Sequence, residues 1–476
     1  MFGRHGVFPP LFLKNEILRL PGIETGFDNL LTMNPPASAK LYRTIGLRLL
    51  PILFVAYLIN FLDRVNIGFA NLSMSASLGM DSAAYGFGAG LFFIGYFLFE
   101  VPSNLALYRF GARIWITRIV FSWGILTTLT AFITLPWQFY TLRFLLGAAE
   151  AGFFPGIVLY LTWWYPSAMR ARILAIFLSA IAATGILGGP VSGMILSSSQ
   201  GWLGMADWQW LFLLEGTPCF LVAAWIFFAL PNKPADAPWL DAESKRFVED
   251  ELRAEENERH RMGAPESALS GLCQPTVWKL CAIYFCQAMG LYGITFWLPE
   301  VVKELGWKSP LQIGFITAIP WTIAVVLMLV FSAISDRTGA RRVPAMVAAV
   351  MGAAGFFLCL AFENPFADLA AISFAAGGVL SLIAISWSFP AALLSGAAAA
   401  SGIALINSVG NLGGFCSPTL IGLLEKRTGN LDNGMLLTGA FLTLAGILYY
   451  AFRSLEPPAS RAMGKSGDPT VSQPIP

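Results

Sequence analysis

Charge is scarce in this sequence: Asp, Glu, Lys and Arg make up 12% of its 476 residues, about half the share of an ordinary soluble domain. A water-exposed globular domain therefore cannot be the main body of the chain. The net charge of +2 is too small a basic excess to point to nucleic acid. Histidine is almost missing, and the two present, His5 and His260, lie outside the apolar runs. Proton chemistry inside those runs must use carboxylates. The six cysteines (219, 273, 281, 286, 359 and 416) form no CxxC pair and read as small buried hydrophobes. No metal-ligand cluster and no nucleophile–base constellation is evident, which argues against an enzyme and calls for neither a metal nor another cofactor.

What fills the chain is hydrocarbon. Hydrophobic residues reach 56%, with 38 Phe and 15 Trp. Runs of roughly 20 apolar residues recur, each long enough to cross about 30 Å of lipid. Set against the polar breaks, they predict twelve spans: 47–71, 84–107, 113–134, 137–160, 172–197, 208–230, 276–299, 311–334, 343–362, 367–390, 399–424 and 434–453. The long break at 231–275 carries Asp241, Glu243, Lys245, Arg246, Glu249, Asp250 and further charges, and reads as a solvated linker with an amphipathic helix. It divides the spans six and six. The expected organisation is a disordered extension (1–44), an N-terminal six-helix bundle (45–230), a cytoplasmic linker (231–275), a C-terminal six-helix bundle (276–455) and a disordered tail (456–476). Within the extension, Met33 stands at a more usual starting distance from the first span.

Short loops after even-numbered spans hold Arg109, Arg113, Arg170, Arg172, Arg337, Arg341 and Arg342, whereas most others are poor in Lys and Arg. The exceptions, Lys303, Lys308, Lys426 and Arg427, sit beside acids. This bias places both termini and the linker in the cytoplasm of a multi-pass cell-membrane protein, expected to be a bacterial inner-membrane monomer. An internal echo supports two halves: "RFGAR" at 109–113 and "RTGAR" at 337–341 each follow the second span of their half. Parallel repeats around a central site are a transporter architecture.

A few charges remain at membrane depth, where they are costly and usually mark ion or substrate pathways. The stretch "YLINFLDRVNIGFANLSM" keeps Asp63 and Arg64 inside the first span. At about 1.5 Å per residue, Asp63 lies roughly 8 Å below the outer edge, level with Arg143 of the fourth span. Glu150 follows seven residues after Arg143 on nearly the same face, roughly 10 Å deeper. Asp63, Arg143 and Glu150 could thus form a column, either a static ion pair that orders packing or a proton path. Arg64 points about 100° away from Asp63, so it faces the cavity to meet an anion or snorkels outward. Glu215, in "WQWLFLLEG", reads as mainly structural because no Arg is suitably spaced on its helix. The C-terminal half offers neutral groups instead: Gln287, Tyr292, Trp387, Asn407 and Asn411.

At these residues the sequence resembles the major facilitator superfamily, in particular the anion:cation symporters that import organic acids, and among them the bacterial tartrate transporters. The likeness is carried by "FLDRVNIGFANLSM", "FEVPSNLALYRFGARIW", "RFLLGAAEAGFFPGIVLYLTWWYP", "DWQWLFLLEG" and "SDRTGARR", and extends from about residue 45 to 455. The resemblance implies an all-α membrane fold of two six-helix bundles rocking around a central cavity. It implies proton binding by Asp63 and Glu150 with Arg143 as coupling partner, and substrate contacts from Arg64, Tyr96, Trp387 and Asn407, with Asn411 one turn beyond. A fifth-helix Gln of the galactonate carriers is replaced by Ile181. The superfamily's gating motif is whole around Asp336, Arg337, Arg341 and Arg342, whereas Tyr108 stands at its Asp position in the N-terminal half. Glu100 is a candidate to take part in gating there. "GILGGPVSG" at 185–193 resembles a signature associated with antiporters, although its glycines and proline also suit close helix packing and an eased bend. The expected function is proton-coupled uptake of a small organic anion such as tartrate or a related hydroxy or sugar acid, with efflux or exchange as the alternative. The expected partners are that anion, protons and the lipid bilayer.

Overall fold

The computed structural model describes residues 37–261, 274–362, 364–393 and 396–452, and among them no strand occurs. The bilayer interior supplies no hydrogen bonds, so a spanning backbone must satisfy itself, and helices do so within one segment. The first half holds α1 (Ala37–Leu78), α2 (Ser82–Phe110), α3 (Ala112–Thr130), α4 (Pro136–Glu150), α5 (Phe153–Thr162), α6 (Ser167–Ser198) and α7 (Asp207–Ala229). The linker helix α8 (Ala242–Arg261) follows. The second half holds α9 (Pro275–Glu304), α10 (Pro310–Thr338), α11 (Arg342–Leu358), α12 (Pro365–Ser386), α13 (Ser388–Leu393), α14 (Gly396–Thr428) and α15 (Asp432–Ala451).

Each expected span has its helix, and two spans are broken, α4–α5 and α12–α13, which gives twelve passes. Among the described residues, nine passes are long and apolar enough to cross a membrane by length and composition, and α11 is a shorter apolar helix. Large apolar side chains such as Leu98, Val101, Leu221 and Phe228 face outward, as a lipid solvent permits. Helix α1 starts at Ala37, so residues 37–44 are helical and not part of an extension. The sequence readings on 1–36 and 456–476 lie outside the described residues.

Contacts divide the chain into a unit of Met1–Leu47 and a unit of Arg48–Pro476, and the second contains both halves. Within it the halves meet where α2 packs on α14 and α6 on α10. Both seams are tight at the end opposite the linker, called here the far end. A Cβ on Gly86 would lie 2.1 Å from the Pro418 carbonyl oxygen, and one on Gly189 2.5 Å from that of Gly314. Only glycine admits such backbone approach. An ion pair between Asp81, which caps α2, and Lys426 of α14 closes the same end at 2.9 Å.

Beside the echoed motifs, one arginine in each half does similar work, although Arg342 stands one position beyond the counterpart of Arg113. Arg113 donates through Nε to the Leu230 carbonyl at 2.7 Å, and Arg342 donates through Nε to the Tyr449 carbonyl at 2.6 Å. Each half thereby ties carbonyls at the end of its last helix to a cation from the first turn of its third. Helix α8 has Val248 fully buried and Glu255 paired with Arg170 of the first half at 3.3 Å, and just before it Trp239 stacks on Trp164.

Candidate functional site

The fourth span breaks beside its own acid. Helix α4 ends at Glu150; Gly152 adopts φ +83°, and a Cβ there would lie 2.4 Å from the Ser103 hydroxyl. Positive φ without steric room requires glycine. The break leaves Glu150 at a helix C-terminus, where the dipole disfavours a carboxylate. Compensation comes from α1: Arg64 donates to Glu150 Oε2 through Nη2 at 2.8 Å and through Nε at 3.2 Å. Glu150 is fully buried and Arg64 nearly so. Arg64 therefore turns inward to an acid of its own chain and does not snorkel.

The same guanidinium lies over Phe92 and Tyr96 of α2, 5.1 and 5.3 Å from their ring centroids, in cation–π contact. Tyr292 of α9 reaches it from the other half. Arg143 also lies against Phe92, 5.0 Å from that ring centroid, and donates to the Ala89 carbonyl at 3.4 Å. Among the described residues it forms no ion pair with Asp63 or Glu150. The expected column thus has a different arrangement: Arg64, not Arg143, holds Glu150. Arg143 and Glu150 share a face of α4 but stand seven residues, about 10 Å, apart along it, whereas Arg64 comes to Glu150 from α1, a meeting that spacing along one helix does not reveal. Asp63 is buried and accepts from Thr127 Oγ1 at 3.0 Å and Asn66 Nδ2 at 3.3 Å, while its Oδ2 has no partner.

Glu100 and Asn407, expected in separate roles, are joined. Asn407 Nδ2 donates to Glu100 Oε1 and Ser408 Oγ to Glu100 Oε2, each at 2.8 Å, bridging α14 to α2 across the halves. Asn411 lies one turn further along α14, near-buried like Asn407. Trp387 sits at the α12–α13 break with its ring 5.1 Å from that of Tyr284, edge to face. Gln287 is spent within the second half, donating to Ser386, which shares a hydrogen bond with Tyr449. Of the motif residues, Asp336 and Arg337 are exposed, Arg341 donates to the Ser388 carbonyl at 2.8 Å and Arg342 ties down α15.

Three polar residues of this region were not singled out from sequence. Asn66 and Thr127 hold Asp63, and Asn60, fully buried one turn earlier on α1, has neither amide atom partnered. Asn60 and Asn66 were visible as amides inside an apolar run; Thr127 carried no comparable signal.

A family model described as Major Facilitator Superfamily matches residues 53–418 and 280–468. A protein of Agrobacterium vitis with the provisional name tartrate transporter is 42% identical over 416 residues, covering 87% of this chain and 95% of its own. A quinolone resistance transporter of Acinetobacter baumannii is 41% identical over 415 residues, covering 87% and 95%. Among solved structures, the xylose transporter XylE of Escherichia coli in a partially occluded inward-open conformation superimposes with a TM-score of 0.70 at 16% identity, over 86% of this chain and 98% of that one. These relatives are membrane transporters, not enzymes, and the structural likeness speaks for the fold.

Proposed function

This chain belongs to the Major Facilitator Superfamily, a family of multi-pass membrane transporters, and on that premise we propose that it imports a small organic anion together with protons. The observation that carries the proposal is the buried Arg64–Glu150 pair beside Asp63, a carboxylate with no cation within ion-pair distance among the described residues. Arg64 is a central cation in contact with both halves, and Glu150 already occupies its Nε and Nη2. An incoming carboxylate needs those donors, because a planar guanidinium suits a planar carboxylate. Bringing it in while Glu150 stays ionised would put a net negative charge in a dry site, at a cost of several kcal/mol. A proton on Glu150 removes that cost and releases Arg64. Anion and proton then enter together, and Asp63 offers a second proton seat.

Tyr96 and Tyr292 flank Arg64 and supply hydroxyls, while Asn407, Asn411 and Trp387 present neutral donors and an aromatic edge from the second half. Such groups fit the hydroxyls of tartrate or a sugar acid, and the Agrobacterium vitis relative's name points the same way. The linker end is read as cytoplasmic from the positive-inside bias, with closure there aided by Glu100, Asp336, Arg337, Arg341 and Arg342. Labelled tartrate and a panel of hydroxy and sugar acids, presented to proteoliposomes under an inward proton gradient, provide the test. Gradient-dependent accumulation of at least one acid is expected; none moving overturns the reading.

The second reading is efflux or exchange. It is favoured by the quinolone resistance transporter among the relatives and by Gly189 and Gly193 of the antiporter-like stretch, which form the tight α6–α10 seam. A quinolone driven outward against its gradient, with no organic acid transported, would establish it.

A further inference from the structure

Glu215 on α7 is a buried carboxyl for which the mechanism above has no use. It is 4% exposed, lies within a membrane-spanning helix, and forms no ion pair among the described residues. Ser192 Oγ of α6 donates to Oε1 at 3.0 Å, and Oε2 has no hydrogen-bond partner. Asn66 of α1 lies against it. That amide already donates through Nδ2 to Asp63 Oδ1 at 3.3 Å, and its own Oδ1 is a buried acceptor without a partner. While Glu215 is ionised, both unsatisfied oxygens are acceptors and neither can serve the other. One proton on Oε2 removes a lone buried charge and turns an unsatisfied acceptor into a donor, with the unsatisfied Asn66 Oδ1 on the neighbouring residue as an acceptor for it.

Placement gives this carboxyl a direction. At the far end, Ser73 of α1 donates to Asp207, in the first turn of α7, at 2.7 Å. Glu215 lies eight residues further along α7, about 12 Å deeper, and Asn66 lies two turns deeper along α1. Asp207, Glu215 and Asp63 thus follow one another inward from the far end toward the Arg64–Glu150 pair. The other groups around Glu215 are few. The Thr128 hydroxyl comes from α3 beside Gly216, Ser192 from α6, and Cys219 from its own helix, its thiol receiving the Trp123 indole hydrogen bond at 3.0 Å. Asp63 is the titratable group that faces it from α1.

We propose that Glu215 is a further protonation site, which charges Asp63 with protons entering from the far end and is held to it by Asn66. This rests on the proton-coupled reading. In the step, the Glu215 Oε2–H bond breaks and the proton ends on Asp63 Oδ2, the oxygen that carries no hydrogen bond. Glu215 is left ionised until it takes the next proton past Asp207.

The test uses the full chain in proteoliposomes. Glu215→Gln keeps the shape of the protonated acid and its bond from Ser192 but cannot release a proton. Gradient-driven uptake should fall by about tenfold or more, and its rise with external acidity should flatten. Counterflow, which needs no net proton movement, should fall far less. Asn66→Leu should act in the same direction and serves if the Gln variant does not fold. Infrared difference spectra should show the carbonyl stretch of a protonated, weakly bonded carboxyl in the parent protein and lose it in Glu215→Gln. A parent protein indifferent to the proton gradient would refute the proton-coupled reading, and the infrared band would still decide whether Glu215 carries a proton. Unchanged gradient-driven uptake and pH profile in Glu215→Gln, or no carboxyl band lost, overturns the inference.

Discussion

Replacing Arg64 by Met tests whether the central ion pair is an energetic unit. Met has a similar reach, and the guanidinium it replaces lies over Phe92 and Tyr96, rings that accept a thioether well. The apolar part of the site is thus largely conserved. What is lost is the counterion of Glu150, which is fully buried at a helix C-terminus with its other oxygen already unpartnered. Removing one partner of a buried pair costs about 3–5 kcal/mol. Glu150→Gln is milder, because the Gln carbonyl still accepts from Arg64 and the cation keeps its aromatic faces; losing one charge-assisted bond costs about 1.5–3 kcal/mol. In the double variant no charge remains to be stranded, so its loss should fall short of the sum of the singles by about 2 kcal/mol or more. The assay is equilibrium unfolding in mixed detergent micelles for all four proteins. Single losses that add to within about 0.5 kcal/mol would show the pair to be uncoupled and refute the reasoning.

Glu150→Gln should also abolish proton-driven accumulation while retaining some counterflow, because the neutral side chain imitates the protonated acid; equal loss of both activities would make Glu150 structural. If Asp63 and Glu150 each carry a proton, uptake of a dicarboxylate should be electroneutral, whereas a monocarboxylate should carry one net positive charge inward. Each charge is worth about 2.3 kcal/mol per 100 mV, so valinomycin-imposed potentials at fixed pH distinguish the two cases, and inward negative current would contradict both. At the far end, the hydrogen bond from Lys426 and then the Ala84 backbone N–H hold the Asp81 carboxyl below its ordinary range. The closure this pair supports is therefore present at neutral pH and lost as pH falls through the lowered value. The side chains are 46% and 55% exposed, so the effect should be under about 1 kcal/mol. Labelling of a cysteine at position 82, in a background without native cysteines, should rise modestly at acid pH and in Lys426→Gln; identical labelling throughout would count against a gate role.

The sequence by itself determined that this is a twelve-pass helical membrane protein in two echoed halves. Hydrocarbon thickness sets the length of an apolar run, and dry surroundings make the backbone helical whatever the side chains are, so neither inference needs a neighbour. The cost of buried charge likewise singled out Asp63, Arg64, Arg143, Glu150 and Glu215 without any coordinates, and the resemblance added Glu100 as a gating candidate. Which of them meet was decided only by tertiary structure. Helical periodicity set Arg143 and Glu150 on one face and turned Arg64 away from Asp63, but it does not say which face of α1 meets the end of α4. The left-handed turn at Gly152 ends α4 at Glu150, and Arg64 reaches that acid from another helix 86 positions earlier in the chain. The Asn407–Glu100 bridge joins residues 307 positions apart. Pairings of this kind depend on which helix faces pack and on where a backbone bends, and a one-dimensional period holds neither.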